Sequence, residues 1–154
     1  MRSMKYTFCI LLALVFFSCG EKPIFSKKID IGGTWTYTNK LEFPFEIQDI
    51  DKSYDLILEL TYGTNFNYQN IYVKITTEYP DQHIDEDILS LNLTNGMGLF
   101  LGNCNSSKCD IALLLQEKFK FNESGQYTIT IYQNGREEVL EDIYAAELKL
   151  YSLN

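Results

Sequence analysis

From residue 43 onwards, apolar and polar side chains alternate with a period of two, the spacing that sets one face of a strand on a core and the other in water. Phe43, Phe45 and Ile47 share a face in "FPFEIQ". In "YDLILELTY", Tyr54, Leu56, Leu58, Leu60 and Tyr62 lie opposite Asp55, Glu59 and Thr61. "NIYVKITTEY" sets Ile71, Val73, Ile75, Thr77 and Tyr79 against Tyr72, Lys74, Thr76 and Glu78. Leu89, Leu91 and Leu93 predict a further strand, and "GLFLG" a short one.

The segment "IALLLQEKFKF" is the one that suits a helix. Phe119 and Phe121 nevertheless alternate with Lys118 and Lys120, which predicts strand from Glu117 to Phe121 after a helical turn or irregular stretch. Turns at Ser124-Gly125 and Asn134-Gly135 bracket a strand with Tyr127, Ile129 and Ile131 on one side. A last strand points Ala146, Leu148 and Leu150 inward. Eight or nine such strands, with turn signals between them and no long amphipathic helix, predict an all-β fold. The expected architecture is an antiparallel two-sheet β-sandwich of jelly-roll type over residues 33–154.

The N-terminus follows another rule. Arg2 and Lys5 form a basic start, Tyr6 to Phe17 an apolar run, and Ser18, Cys19 and Gly20 close it. That order reads as a secretion signal, and its apolar core is well short of the roughly 20 residues a membrane-crossing helix needs. A small residue directly before cysteine resembles the bacterial lipobox, although Phe16 and Phe17 stand where stricter examples have Leu and a small residue. On this reading residues 1–18 are a lipoprotein signal peptide, Cys19 is acylated, and 19–32 form a lipidated tether. Acyl chains contribute about 0.8 kcal/mol per buried methylene, so several on one residue anchor the chain to a membrane lastingly. A soluble secreted protein cut near Cys19 is the plainer alternative.

Composition narrows the function. The formal net charge is −8, and removal of the signal takes away Arg2 and Lys5, leaving a still more acidic chain. Such a chain repels nucleic acid and anionic lipid heads. Hydrophobic residues make up 45% of it, enough for a real core. Of four cysteines, Cys9 leaves with the signal and Cys19 takes lipid. Cys104 and Cys109 remain in "GNCNSSKCD", in a compartment that permits a local disulfide. Zinc would need more ligands than this pair and the single histidine, His83.

Candidate chemistry is sparse. "DQHIDEDI" gathers Asp81, His83, Asp85, Glu86 and Asp87, but lacks the glycine of a tight calcium loop. Strand geometry also splits Glu86 from Asp85 and Asp87, so solvated charge is the better reading. A glycosidase needs two carboxylates converging on one cleft, and among 21 acidic residues a pair can always be drawn. No nucleophile motif surrounds a serine. The expectation is a protein that is not an enzyme and has no cofactor or metal. Trp35, Tyr37, Tyr68 and Tyr72 are candidate stacking platforms for a ligand or partner, with Trp35 packed across a sandwich edge as the competing reading. Arg136 is a further candidate contact, with Glu137, Glu138 or Glu141 as surface partners.

From Trp35 to Tyr151 the chain resembles the gliding-motility lipoprotein family GldH of Bacteroidetes. The resemblance rests on "FPFEIQD", the Tyr54 to Leu60 alternation, Tyr68-x-Asn70-Ile71, and the glycine-containing run Gly96 to Gly102. It continues through Phe121 to Gln133, Arg136, and Leu140 to Ile143. Tyr62-Gly63 and the run Gln133 to Arg136 depart from the family pattern, and the Cys104–Cys109 loop lies outside it. The resemblance implies a non-enzymatic envelope lipoprotein of gliding motility and its associated secretion machinery, contacting other envelope proteins; the single acid in "CGEK" makes a weak surface-export signal, so a periplasm-facing position is expected. A lipid-anchored carbohydrate-binding sandwich at the cell surface is the alternative.

Overall fold

The computed structural model describes residues 22–153. The signal peptide and Cys19 lie outside them. Among these residues nine strands are present: β1 (Phe25–Thr36), β2 (Leu41–Ile47), β3 (Ser53–Gly63), β4 (Asn70–Glu78), β5 (Ile84–Asn92), β6 (Asn103–Cys104), β7 (Lys108–Phe119), β8 (Gly125–Gln133) and β9 (Val139–Leu153). One sheet has the order β1-β9-β3-β7-β6 and the other β2-β8-β4-β5, antiparallel throughout. Early strands pair with late ones in nested fashion: β1 with β9, β2 with β8, β3 with β7 and β4 with β5. Successive strands β1 to β4 alternate between the sheets. This is the rolled-up hairpin of a jelly roll, as the alternating sequence predicts.

The predicted inward positions meet between the sheets. Tyr54, Leu56, Leu58, Leu60 and Tyr62 of β3 face Phe43, Phe45, Val73, Ile129 and Ile131 in one buried cluster. Each large side chain so removed from water contributes about 1.5–3 kcal/mol, and these stripes are what hold the layers together. Near the start of β3, Phe45, Tyr54, Phe121 and Tyr127 pack ring against ring at 4.7–5.9 Å.

Three predicted boundaries are corrected. The sandwich begins at Phe25, so most of the expected 19–32 tether is strand β1. Phe25 packs on Phe45 at 5.5 Å. Lys27 shares that face but extends its stem across the edge, and its Nζ donates to the Glu42 carbonyl at 2.9 Å. The period-two signal is therefore hidden behind a lysine. β7 is continuous from Lys108, with no helical turn before Glu117. Ile111, Leu113 and Leu115 alternate inward, but the exposed Leu114 between them blurs the pattern. Phe121 lies beyond the strand, buried in the loop after it. Finally, "GLFLG" is not a strand but a loop closed by a single bridge between Thr94 and Phe100.

Candidate functional site

The sandwich has two distinct ends. Phe25 pairs with Leu150, and Ser53 with Leu153, so the chain enters beside the start of β3 and the end of β9. β3 then runs eleven residues to Gly63, about 33 Å at strand rise. The loops at that far end carry most of the residues singled out from the sequence.

Tyr68, Asn70, Tyr72, Arg136, Glu137 and Leu140 line a cleft of ≈ 460 Å³ there. Tyr68 is 46% and Tyr72 49% exposed, so both are accessible from the cleft. Arg136 has no ion-pair partner among the described residues, contrary to the expected pairing with Glu137, Glu138 or Glu141. Its guanidinium, permanently charged and carrying five donors, is free to meet a carboxylate or a sugar hydroxyl. Three of the five candidate contact residues, Tyr68, Tyr72 and Arg136, thus converge.

Trp35 and Tyr37 do not line it. Trp35 is 1% exposed, and its indole N–H donates to the Asn39 carbonyl at 2.8 Å. A buried indole with its one donor satisfied is a packing element, and it offers no stacking platform. Tyr37 is exposed, but its hydroxyl donates to the Gly135 carbonyl at 2.8 Å and so supports the Arg136 loop from beneath.

Sequence reasoning missed the residue that shapes this loop. Gln133, 3% exposed at the end of β8, donates from Nε2 to the carbonyls of Glu137 at 2.7 Å and Glu138 at 3.2 Å. Its Oε1 accepts the Gly135 N–H at 2.6 Å. One carboxamide therefore ties down the whole turn that carries Arg136. The available signal was a glutamine at a strand end directly before Asn-Gly.

Beside the cleft stands the loop from Thr94 to Leu101. Asn95 Oδ1 accepts the N–H groups of Met97 at 2.9 Å and Leu99 at 3.0 Å. The Tyr62 hydroxyl lies 2.9 Å from the Leu93 carbonyl oxygen and 2.7 Å from that of Leu101. Burial pushes this phenol above its ordinary value of 10.0, so it remains protonated and donating. Gln69 links loop and cleft, its carbonyl accepting from Leu93 and Thr94 at 2.8 and 3.1 Å. The loop is thereby held rigid while Met97 (81% exposed) and Leu99 (60%) project from it. Rings in contact run from Phe100 through Tyr62 and Phe66 to Tyr68, with centroids 5.5–6.3 Å apart. Cys104 and Cys109 form the expected disulfide at this same end, joining β6 to β7.

The acidic cluster lies at the entry end. His83 stacks on Tyr79 at 3.9 Å and reaches Asp81 through Nδ1 at 2.5 Å. The His83 backbone N–H and then its ring hold the Asp81 carboxyl below its usual 3.8. Glu86 pairs outward with Lys74 at 3.5 Å, while Asp85 and Asp87 stand on the opposite face, as alternation predicts. Among the described residues no group of three His, Cys, Asp or Glu is arranged to hold a metal.

The jelly-roll module thus gathers an apolar loop and an arginine–tyrosine cleft at one end. The GldH lipoprotein family model matches residues 24–150, and the chain belongs to that family. It is 27% identical over 137 residues to the gliding motility lipoprotein GldH of Flavobacterium johnsoniae, covering 89% of this chain and 85% of that protein. It is 26% identical over 134 residues to a GldH homolog from Christiangramia forsetii, covering 86% and 82%. A lipoprotein of known structure from Bacteroides thetaiotaomicron aligns over 86% of both chains at 14% identity, with a TM-score of 0.23.

Proposed function

We propose that this protein is a non-enzymatic envelope lipoprotein that supports gliding motility and its associated secretion machinery, held to the membrane through Cys19 and contacting envelope proteins at its far end. The observation that carries the reading is the family match across nearly the whole sandwich, residues 24–150. Chain geometry supports the polarity. Only Gly20 to Ile24 lie between Cys19 and β1, and six extended steps span about 20 Å. Anchored there, the entry end stays close to the lipid, and the Arg136 cleft and the Met97 loop face away from it, towards the periplasm.

A glycan-binding role is favoured by one observation, the two exposed tyrosines beside an unpaired arginine. The burial of Trp35 removes the strongest stacking residue from that account.

The test is complementation of a gliding host that lacks its own GldH. Cys19→Ala is expected to leave the membrane fraction and fail to restore colony spreading. Tyr72→Ala combined with Arg136→Glu is expected to stay folded and membrane-bound, yet also fail. Full spreading by the double variant would reject the far end as the contact surface.

A further inference from the structure

Both sheets end in an unpaired edge on the same side of the sandwich. β5 is bonded only to β4, and β6 covers β7 only at Cys109 and Asp110. The outer edge of β7 from Ile111 to Phe119 therefore has no neighbouring strand among the described residues. A slot of ≈ 290 Å³ opens between these two edges, lined by Ile75, Leu89, Leu115 and Phe119. Asp85 and Asp87 stand on its β5 lip, sharing the inward face of Leu89 and Leu91.

The two lips differ in character. Inward-pointing charges on an edge strand deter self-pairing, and β5 has them. β7 has no such guard, since Ile111 to Leu115 are five apolar residues in succession with Leu114 exposed. An unpaired, apolar strand edge is a template for a further strand.

We propose that the slot receives an extended segment of a partner protein, added as a strand along the free edge of β7. Its alternate side chains turn into the slot, aliphatic ones against Leu115 and Phe119, and a lysine or arginine against Asp85 and Asp87. Charge complementarity selects this occupant. A second copy pairing through these same two edges is disfavoured because the inward residues of β7, Cys109, Ile111, Leu113 and Leu115, bring no cation, and β5 against β5 sets carboxylate towards carboxylate. The slot lies in the half of the sandwich nearer the entry end, where Tyr54 and Phe121 also line it. It is a contact surface separate from the Arg136 cleft and does not depend on the role given to that cleft.

The experiment uses the lipoprotein purified from membranes in detergent and a nine-residue capped peptide, Val-Thr-Val-Thr-Lys-Thr-Lys-Thr-Val. Saturable binding is expected, with slowed hydrogen exchange at the alternate amides between Ile111 and Leu115 that point to the free edge rather than to β3. Exchanging both peptide lysines for glutamate is expected to weaken binding by at least about tenfold, as like charges then face one another. Asp85→Asn with Asp87→Asn should weaken the lysine peptide similarly, and methylating its alternate backbone nitrogens should abolish binding. Equal binding of the glutamate peptide, or no protection of β7, overturns the proposal. Protection of β7 that appears without peptide, together with a dimer mass, assigns the edge to a second copy and overturns it as well.

Discussion

The Gln133 carboxamide gives the sharpest quantitative handle on how the far end is built. Gln133→Leu keeps nearly the same volume, so it removes hydrogen bonds without opening a cavity. Three bonds vanish, two donated to the carbonyls of Glu137 and Glu138 and one accepted from Gly135. At about 0.5–1.5 kcal/mol net for each, the loss is roughly 1.5–4.5 kcal/mol. The lower part of that range applies if water replaces the carboxamide, because Glu137 and Glu138 are exposed and their carbonyls can rehydrate. The Gly135 amide lies closer to the buried side and gains less from solvent. For a domain of this size 1 kcal/mol shifts Tm by roughly 3–4 °C, so a central loss of about 3 kcal/mol lowers Tm by about 10 °C. Thermal unfolding followed by circular dichroism reads the global effect, and hydrogen exchange at Gly135 the local one. A Tm within about 1 °C of wild type, with unchanged Gly135 exchange, would refute the claim that Gln133 organises the Arg136 turn.

Other consequences are as concrete. The Cys104–Cys109 bridge closes a loop with a sequence separation of 5, so replacing both cysteines by alanine should cost about 2 kcal/mol in urea unfolding, on the chain-entropy model. Gly102 has φ +91, and a Cβ there would stand 2.3 Å from the Asp110 carbonyl oxygen. Gly102→Ala should therefore cost more than about 2 kcal/mol, read as a lower urea midpoint. The Asp81 carboxyl is depressed by His83, so its contribution is present above the ordinary carboxylate pKa and lost as pH falls through the folded value. Urea midpoints of wild type and Asp81→Asn should accordingly differ more at pH 6 than at pH 2, with a difference that persists at pH 2 counting against this linkage.

Legibility in the sequence tracks how cleanly each strand sorts its two faces. β3 and β8 alternate through Leu56 to Tyr62 and Tyr127 to Ile131 with the exceptions of the outward apolar Ile57 and the buried Thr130, and their inward residues are buried. β7 carries Leu113, Leu114 and Leu115 in a row on an edge open to the slot, so its hydrophobicity does not mark one face. β1 hides its period behind Lys27, whose charge escapes to the Glu42 carbonyl. Tyr68, Tyr72 and Arg136 stand out individually as an unusual aromatic or cationic presence, but their meeting depends on β4 lying beside β8. The Met97 loop escapes notice because Gly-Leu-Phe-Leu-Gly satisfies a strand pattern, whereas the Asn95 side chain fixes it as a turn. Conversely, Trp35 looks like a binding residue by type alone, and only its buried bond to Asn39 reveals its packing role.

Which end of the sandwich faces the membrane depends on the proposed anchor at Cys19. Intact mass of the protein from membranes of a native-like host, compared with Cys19→Ala, tests it most directly. The predicted result is a chain beginning at Cys19 with added acyl mass, absent from the variant. A mass equal to that of an unmodified chain would contradict the lipid anchor and, with it, the assignment of the Arg136 cleft to the membrane-distal end.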